Sequence, residues 1–213
     1  MKISQSKLYK YSILSLLVFI IGVILITFTK IFQNIDYIIL YNLPLVWNNI
    51  LTKVMVVITS IVSTETVIII SLLFFVWFLY KKQKTKAIII FLVPTITAAI
   101  IWLLKKIIQR ARPVGFQLIM ETRNSLPSGH TVTAVVFLGI LYFLFYDSIK
   151  SKKIIKTIII TTITFVGLSR IYLGVHWFSD VFVSVFLGIS LLFFYVYIIK
   201  KNRILEKQKS RKK

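Results

Sequence analysis

Residues 126–145 read LPSGHTVTAVVFLGILYFLF, a short polar cluster followed directly by an apolar run. The cluster contains Pro127, Ser128, Gly129 and His130, and His130 is one of only two histidines in the chain. The run after it has the composition of a helix that crosses a membrane. The sequence therefore predicts an imidazole at the N-terminal end of a membrane helix, a position whose role depends on the rest of the chain.

The composition places the chain in the integral-membrane class. Hydrophobic residues make up 58% of its 213 positions, which exceeds the share of about half that is usual in soluble domains. These residues are gathered into long blocks and are not spread along the chain. There is no cysteine, which excludes a disulfide framework and a thiolate metal site.

Six apolar blocks approach the roughly 20 residues that a helix needs to cross the hydrocarbon core. Helices are favoured even for the Ile- and Thr-rich fifth block, because an isolated strand would leave its backbone unpaired in lipid. The second block is long and more polar in its first part, which predicts a tilted helix or first turns that lie in the interface. The predicted spans are 11–29, 54–80, 87–104, 131–146, 154–169 and 181–199.

The predicted fold class is therefore all-α, a polytopic membrane protein built as a bundle of six transmembrane helices. We expect one domain over residues 1–213, with a core at about 50–199 and a basic tail at 200–213. Nothing in the sequence indicates an obligate protein partner.

Basic residues strongly outnumber acidic ones, with 27 Lys or Arg against six Asp or Glu and a formal net charge of +21. Nineteen of the 27 lie before the first span, in the loops 81–86 and 148–156, and from residue 200 onward. Because loops rich in Lys and Arg stay inside, both termini are predicted to be cytoplasmic in a multi-pass plasma-membrane protein. The eight on the other side are Lys30, Lys53, Lys105, Lys106, Arg110, Arg112, Arg123 and Arg170.

The positive charge also indicates the kind of partner. Basic residues flank the spans in short loops, a distribution explained by membrane topology and by attraction to anionic lipid headgroups. A nucleic-acid binder would instead cluster them on one folded soluble face. We therefore expect a bilayer with anionic lipids as the partner and no nucleic acid.

Six polar side chains on the predicted outer side stand at the ends of spans. Each has a structural alternative, since a lone Lys or Arg is often a snorkelling anchor and Pro-Ser-Gly can be a simple helix start. His176 and Asp180 are four residues apart, so they share one face if that stretch is helical. Taken together, the six predict a polar site at one membrane surface. They are Lys105, Arg112, His130, Arg170, His176 and Asp180.

Three spaced motifs in this region resemble those of the type 2 phosphatidic acid phosphatase (PAP2) superfamily of lipid phosphatases. All three occur in order, and their joint occurrence is far more specific than any one of them. The resemblance covers about residues 50–199 and is strongest to the small bacterial members. The matching residues are Lys105 and Arg112-Pro113, then Pro127-Ser128-Gly129-His130, then Ser169-Arg170, His176 and Asp180.

The resemblance implies a site for a phosphate group. Lys105, Arg112 and Arg170 would hold the phosphate oxygens, and arginine can do so with two parallel hydrogen bonds. The Ser128 hydroxyl would add a donor, and the backbone amides near Ser128 and Gly129 would add more, since a helix start attracts anions. No carboxylate cluster for Mg²⁺ and no His and Cys set for Zn²⁺ is recognisable, so we expect neither a metal nor another cofactor.

The resemblance also implies the roles of three further side chains. His176 would attack phosphorus to form a phosphohistidine, and Asp180 would orient the imidazole and stabilise its charged form. His130 would protonate the leaving oxygen and then activate water. The implied substrates are phosphatidylglycerophosphate and phosphatidic acid, with undecaprenyl diphosphate as the alternative.

Two other classes of protein and the role of one acidic residue, Glu65, stay open. Vanadium haloperoxidases share the motifs but are soluble, and an anion transporter or channel would need charges deep in several spans. Glu65, in the second span, has either a functional role or a place in a polar interfacial stretch. Asp36 is expected to be structural, within an amphipathic helix in the first outer loop.

Overall fold

The computed structural model describes residues 3–210, with side chains described as far as Asn202. This part of the chain consists of eight α-helices and one 3-10 turn at Leu43–Val46, without a β-strand. The predicted basic tail begins inside the last helix, and residues 211–213 lie outside the described range. The helices are α1 (Gln5–Phe28), α2 (Gln33–Asn42), α3 (Asn49–Ile61), α4 (Thr64–Tyr80), α5 (Lys84–Ile108), α6 (Gly129–Phe145), α7 (Lys152–Tyr172) and α8 (Phe178–Ser210).

The predicted spans correspond to these elements. Helices α1, α5, α7 and α8 are each long and apolar enough to cross a membrane, and α6 is a shorter apolar helix of 17 residues. The second span was predicted to be one helix that is tilted or has its first turns in the interface, and the structure instead has α3 and α4 as a pair bent by 44°. The prediction of an all-helical membrane protein is confirmed, with six spans if the bent pair counts as one and α6 as another.

The bend between α3 and α4 has a local cause in the polar stretch that interrupts the second block. Ser63 is the residue that precedes α4, and its hydroxyl accepts a hydrogen bond from the backbone N–H of Thr66 at 3.2 Å. A serine in this place satisfies an amide that the first turn of a helix leaves unpaired. The stretch therefore starts a new helix and does not continue the old one.

Helix α8 lies against α1 and α6, where small residues allow close approach. A Cβ atom added at Gly188 would lie 2.7 Å from the Cβ of Val135, so nothing larger than glycine fits there. Between α1 and α8, the hydroxyls of Ser12 and Ser190 donate to each other's backbone carbonyls at 3.0 and 2.9 Å. Small residues and hydrogen bonds of this kind hold helices together in lipid, where the hydrophobic effect between them is weak.

The remaining packing brings four helix ends together. Helix α5 packs between α4 and α6, and α7 packs against α6 and α3. Since consecutive spans alternate in direction, the C-terminal ends of α5 and α7 lie beside the first residues of α6 and α8. Helix α2 and the irregular loop 109–128 lie at this same end. The opposite end holds both termini, where Lys200 Nζ donates to the carbonyl of Ile3 at 2.9 Å.

Candidate active site

A cavity of about 890 Å³ lies at the end of the bundle where these four helix ends meet. A second cavity, of about 940 Å³, lies among α6, α7 and α8, but it is almost wholly apolar and contains none of the predicted site residues. The first cavity has both polar and apolar residues in its lining. Its polar lining includes Lys105, Arg112, Gly129, His130, Arg170 and His176, and its apolar lining includes Val56, Ala98, Ile101, Trp102 and Met120.

Arg112 and Arg170 come from different elements and face a shared carboxylate. Arg170 ends α7 with only 1% of its side chain exposed, and its Nη1 donates to the Thr59 hydroxyl at 3.0 Å. Its Nη2 donates to Glu121 Oε1 at 2.5 Å, while Arg112 Nη2 lies 3.5 Å from Glu121 Oε2. Two guanidinium groups around one anion form a binding geometry that would equally suit phosphate oxygens.

Lys105 is held in place by the loop that precedes α6. Its ammonium group donates to the carbonyls of Asn124 and, at 3.3 Å, Ser125. The Asn124 amide donates back to the Lys105 carbonyl at 2.8 Å, so the last turn of α5 and this loop are tied together. The ammonium group is therefore fixed at the wall of the cavity, where it adds a third positive charge.

His176 lies in the turn between α7 and α8, and the shape of that turn depends on Gly174. Gly174 has φ +66°, and a Cβ there would lie 1.8 Å from the carbonyl oxygen of Phe116. Only glycine combines this backbone conformation with so close an approach. The turn directs His176 into the cavity, and the amides of Val175 and His176 both donate to the Arg170 carbonyl at 3.3 Å.

The hydrogen-bond partners of His176 determine which of its nitrogens holds the proton. Nε2 lies 3.2 Å from Nη1 of Arg112, and a guanidinium can only donate, so Nε2 must be the unprotonated acceptor. Nδ1 then holds the proton and faces the Ser125 hydroxyl at 3.3 Å and Asp180 Oδ2 at 3.6 Å. This tautomer is assigned from its partners, and it gives Nε2 a lone pair that accepts from Arg112 at the cavity.

The electrostatic surroundings keep this imidazole neutral. Burial lowers the pKa of His176 well below its ordinary value, and the positive charges of Arg112, Lys105 and Arg170 lower it further. Protonation of a buried ring next to three cations is disfavoured both by desolvation and by charge repulsion. The unprotonated nitrogen is therefore present throughout the ordinary pH range.

Asp180 lies behind His176 and is fully buried. Its Oδ2 accepts from the Ser125 hydroxyl and from the backbone N–H of Trp177, the latter at 3.2 Å. Its Oδ1 accepts from Arg110. The predicted pairing of His176 with Asp180 is thus present, with the Ser125 hydroxyl placed between the two.

The first turn of α6 places its polar residues on two sides. Gly129 and His130 line the cavity, and their backbone amides have no acceptor within the helix because they stand in its first turn. Ser128 is fully buried, and its hydroxyl is paired with the Thr131 hydroxyl at 2.9 Å. Its backbone N–H donates to Ser184 at 2.8 Å. The expectation that Ser128 donates to phosphate stays a prediction, because either hydroxyl of the Ser128–Thr131 pair can be the donor.

Among the residues that sequence reasoning missed and that contact the predicted set are Arg110, Glu121 and Ser125. All three belong to the irregular loop 109–128, which has no periodic pattern that would predict where its side chains lie. Glu121 could have been suspected, because it is one of only six acidic residues in a chain of 213. Asp36, expected to be structural, is 3% exposed in α2 and bonded to Arg110. Glu65, whose role was open, lines the cavity at the first turn of α4.

Comparison with known proteins agrees with this geometry. Residues 95–204 match the PAP2 superfamily. Phosphatidylglycerophosphatase B of Bacillus subtilis (strain 168) is 40% identical over 94 residues, which cover 42% of this chain and 46% of that protein. The matched segment thus spans just under half the length of that curated relative.

Two solved structures extend the likeness to most of the chain. A transmembrane PAP2-type phosphatidylglycerolphosphate phosphatase from Bacillus subtilis is 30% identical and has a TM-score of 0.82, covering 89% of this chain and 96% of its own. LpxE of Aquifex aeolicus, at 22% identity, has the same fold with a TM-score of 0.61, covering 80% and 98%. The family match extends over more than half of the sequence and includes all three motifs, and the chain belongs to the PAP2 superfamily.

Proposed function

We propose that this chain is a metal-independent lipid phosphate phosphatase that hydrolyses phosphatidylglycerophosphate or phosphatidic acid through a phosphohistidine intermediate. The observation that supports this most directly is a single cavity lined by three cationic side chains and two imidazoles and also by apolar side chains of α3 and α5. A lipid phosphate has the matching combination of a charged headgroup and an apolar tail.

The phosphate would be held where the Glu121 carboxylate now lies. Arg112 and Arg170 would exchange that carboxylate for phosphate oxygens, and Lys105 would add a third charge. Arg170 Nε is buried and has no hydrogen-bond partner among the described residues, so it is available as a further donor. The amides at the start of α6 complete the set, in the way that helix starts commonly bind phosphate.

His176 is the proposed nucleophile because its Nε2 is unprotonated and faces the cavity. Arg112 now donates to that lone pair, and its transfer to a phosphate oxygen would free the nitrogen for attack. The N–P bond forms as the bond from phosphorus to the lipid oxygen breaks. The positive charge that develops on the ring is stabilised through the Nδ1 proton by Ser125 and Asp180.

His130 is the proposed acid and base. The negative charge of the bound phosphate would offset the nearby cations and let His130 hold a proton. As the P–O bond breaks, His130 gives this proton to the departing oxygen, which leaves as an alcohol. Neutral His130 then takes a proton from water, whose oxygen attacks phosphorus while the P–N bond breaks and His176 is restored. The surrounding cations stabilise the charge spread over the equatorial oxygens in both steps.

The proposed orientation puts this chemistry on the extracytoplasmic face. The site and the two termini lie at opposite ends of the bundle, and the Lys and Arg excess of the termini and their neighbouring loops favours the cytoplasm for that end. The lipid tail would leave the cavity past the apolar side chains of Ala98, Ile101 and Trp102 on α5 and stay in the bilayer, with anionic lipids around the basic loops.

A lipid diphosphate such as undecaprenyl diphosphate is the second candidate. The specific observation in its favour is that Lys106 and Arg123 line the same cavity as the three phosphate-binding cations, so a second phosphate could be neutralised there. Hydrolysis of a diphosphate uses the same nucleophile and needs less help from the acid, because phosphate is a better leaving group than an alkoxide.

The test is phosphate release by the purified protein in detergent with excess EDTA, on phosphatidylglycerophosphate, phosphatidic acid and undecaprenyl diphosphate. We expect release from at least one monoester and inhibition by vanadate, which mimics five-coordinate phosphorus. His176→Ala serves as the inactive control, and Lys30→Gln, an exposed substitution on the same side, as the active one. Activity only after Mg²⁺ is returned would refute metal independence, and no release from any substrate would favour an anion transporter.

A further inference from the structure

We infer that Arg110 and Asp36 form a buried pair that positions Asp180, and through it the imidazole of His176, for catalysis. Neither residue lines the cavity or belongs to the three motifs. Both would be positioning residues and not catalytic ones, since they reach the reacting atoms only through Asp180. The inference rests on the proposed function.

Arg110 joins two carboxylates from different elements. Its Nη2 donates to Asp36 Oδ2 at 2.8 Å, and its Nη1 donates to Asp180 Oδ1. The two carboxylate side chains are 2% and 0% exposed, and that of Arg110 is 19% exposed. Because an unpaired charge at such burial is strongly unfavourable, the guanidinium stabilises both carboxylates that it contacts.

Ser179 ties this pair to the start of α8. Its backbone N–H donates to Asp36 Oδ1 at 2.9 Å, and its hydroxyl donates to Asp36 Oδ2 at 2.5 Å. Arg110 Nη1 in turn lies 2.8 Å from the same hydroxyl oxygen. Asp36, on α2, thus accepts from the first turn of the helix that contains Asp180, and it fixes the direction from which Arg110 approaches.

As a consequence, the two carboxylate oxygens of Asp180 have different hydrogen-bond partners. Arg110 occupies Oδ1, whereas Oδ2 is left for Ser125, the Trp177 amide and the Nδ1 side of His176. A carboxylate turned or shifted out of this position would lose its contacts with Ser125 and the Nδ1 side of His176. A two-pronged guanidinium can hold both carboxylates at once, which a single ammonium group cannot do in the same geometry.

The charges of the cluster also suit the proposed intermediate. Asp36 and Asp180 contribute two negative charges and Arg110 one positive charge, so the cluster has one negative charge left over. That charge is balanced when His176 becomes cationic. Arg110 alone with Asp180 would be neutral before the reaction begins, so Asp36 is what makes the surroundings of Asp180 favour the charged ring.

The test uses Arg110→Lys and Asp36→Asn, each alone and combined with Asp180→Asn, with ³²P-labelled lipid to measure low rates. We expect kcat to fall roughly 10- to 100-fold for Arg110→Lys, the loss typical for groups that orient active-site ligands, with KM and the inhibition constant of inorganic phosphate within about twofold. For Asp36→Asn, kcat should also fall, but by a smaller factor. In the Asp180→Asn background neither substitution should reduce kcat further.

Two outcomes would overturn the inference. One is a kcat of the double variant that falls below that of Asp180→Asn by the same factor as in the single variant. The other is a change in KM and in the inhibition constant of phosphate as large as the change in kcat. If Arg110→Lys does not give a monodisperse protein, Asp36→Asn tests the inference in the same way, alone and combined with Asp180→Asn. Lys30→Gln is the surface control. An inactive wild-type protein would contradict the proposed function instead, so the two failures are distinct.

Discussion

Replacing Glu121 with glutamine should tighten the binding of inorganic phosphate. The Glu121 carboxylate contacts Arg170 at 2.5 Å and lies 3.5 Å from Arg112, so an incoming phosphate has to compete with it for both guanidinium groups. Glutamine keeps the length and shape of the side chain but removes the negative charge. The substituted protein should therefore present the same cations without an internal competitor.

The geometry sets the size of the effect. Only the contact with Arg170 is short enough to count as a strong hydrogen bond between charged groups, and such a bond contributes about 1.5–3 kcal/mol net. At about 1.4 kcal/mol for each factor of ten, the inhibition constant of phosphate should fall roughly 10- to 100-fold. The same substitution should lower the melting temperature, because Arg170 is 1% exposed and loses its counter-charge.

The assay is inhibition of nitrophenyl phosphate hydrolysis by inorganic phosphate, repeated with vanadate. Glu65→Gln is the matched control, since Glu65 lines the same cavity but, within the described residues, forms an ion pair with neither arginine. Its effect on the inhibition constant should be clearly smaller. Equal or weaker phosphate binding by a folded Glu121→Gln protein would show that Glu121 does not occupy the phosphate position.

Three further predictions follow from the site and its orientation. His176→Ala should abolish turnover on every substrate, whereas His130→Ala should impair hydrolysis of lipid monoesters far more than that of nitrophenyl phosphate, whose leaving group needs no proton. Rapid-quench experiments should detect an acid-labile phosphoenzyme in His130→Ala but not in His176→Ala. The reverse pattern would exchange the roles of the two histidines. In ¹⁵N-histidine spectra of His130→Gln, which retains a single histidine, the lowered pKa of His176 should keep the ring neutral at pH values well below its ordinary midpoint. A midpoint near 6.5, the ordinary value, would contradict the assigned environment. In intact cells, an impermeant thiol reagent should label Val114→Cys, at a position 85% exposed, and not Gln83→Cys; the opposite result would reverse the proposed orientation.

The membrane fold could be predicted from the sequence because lipid leaves few choices. A long apolar block must become a helix, and consecutive spans must alternate in direction. This alternation alone predicts that the end of α5, the start of α6, the end of α7 and the start of α8 share one end of the bundle. The motif residues at those ends could therefore be placed together before any coordinates were known.

The break in the second span was only partly predictable. The polar residues between Ser60 and Thr66 indicated an irregularity, but a tilt and a bend both suit an overlong block. The Ser63 hydroxyl accepts the Thr66 amide, and the Thr66 hydroxyl donates to the Ser60 carbonyl at 2.8 Å. These hydrogen bonds satisfy backbone groups that a break in the helix leaves unpaired, and they therefore favour a bend over a single tilted helix.

The site residues that the sequence did not reveal have partners far along the chain. Arg110 contacts Asp36 across 74 positions, Ser125 contacts Asp180 across 55, and Glu121 contacts Arg170 across 49. No local spacing rule connects residues so far apart, and the loop 109–128 that contains three of them has no period.

A physical constraint still ties these hidden residues to the visible ones. Asp180 and Arg170 are almost completely buried, and a buried charge without a partner is so costly that each must have an opposite charge nearby. The chain has only six acidic residues, so very few candidates could neutralise the outer arginines, and Asp36, Glu121 and Asp180 are three of them. In a chain this poor in carboxylates, the motif arginines and the scarce acids could have been paired by elimination, and the structure shows which pairs form. Asp36 therefore belongs to the argument about catalysis although it stands in a helix that the sequence predicts to be structural.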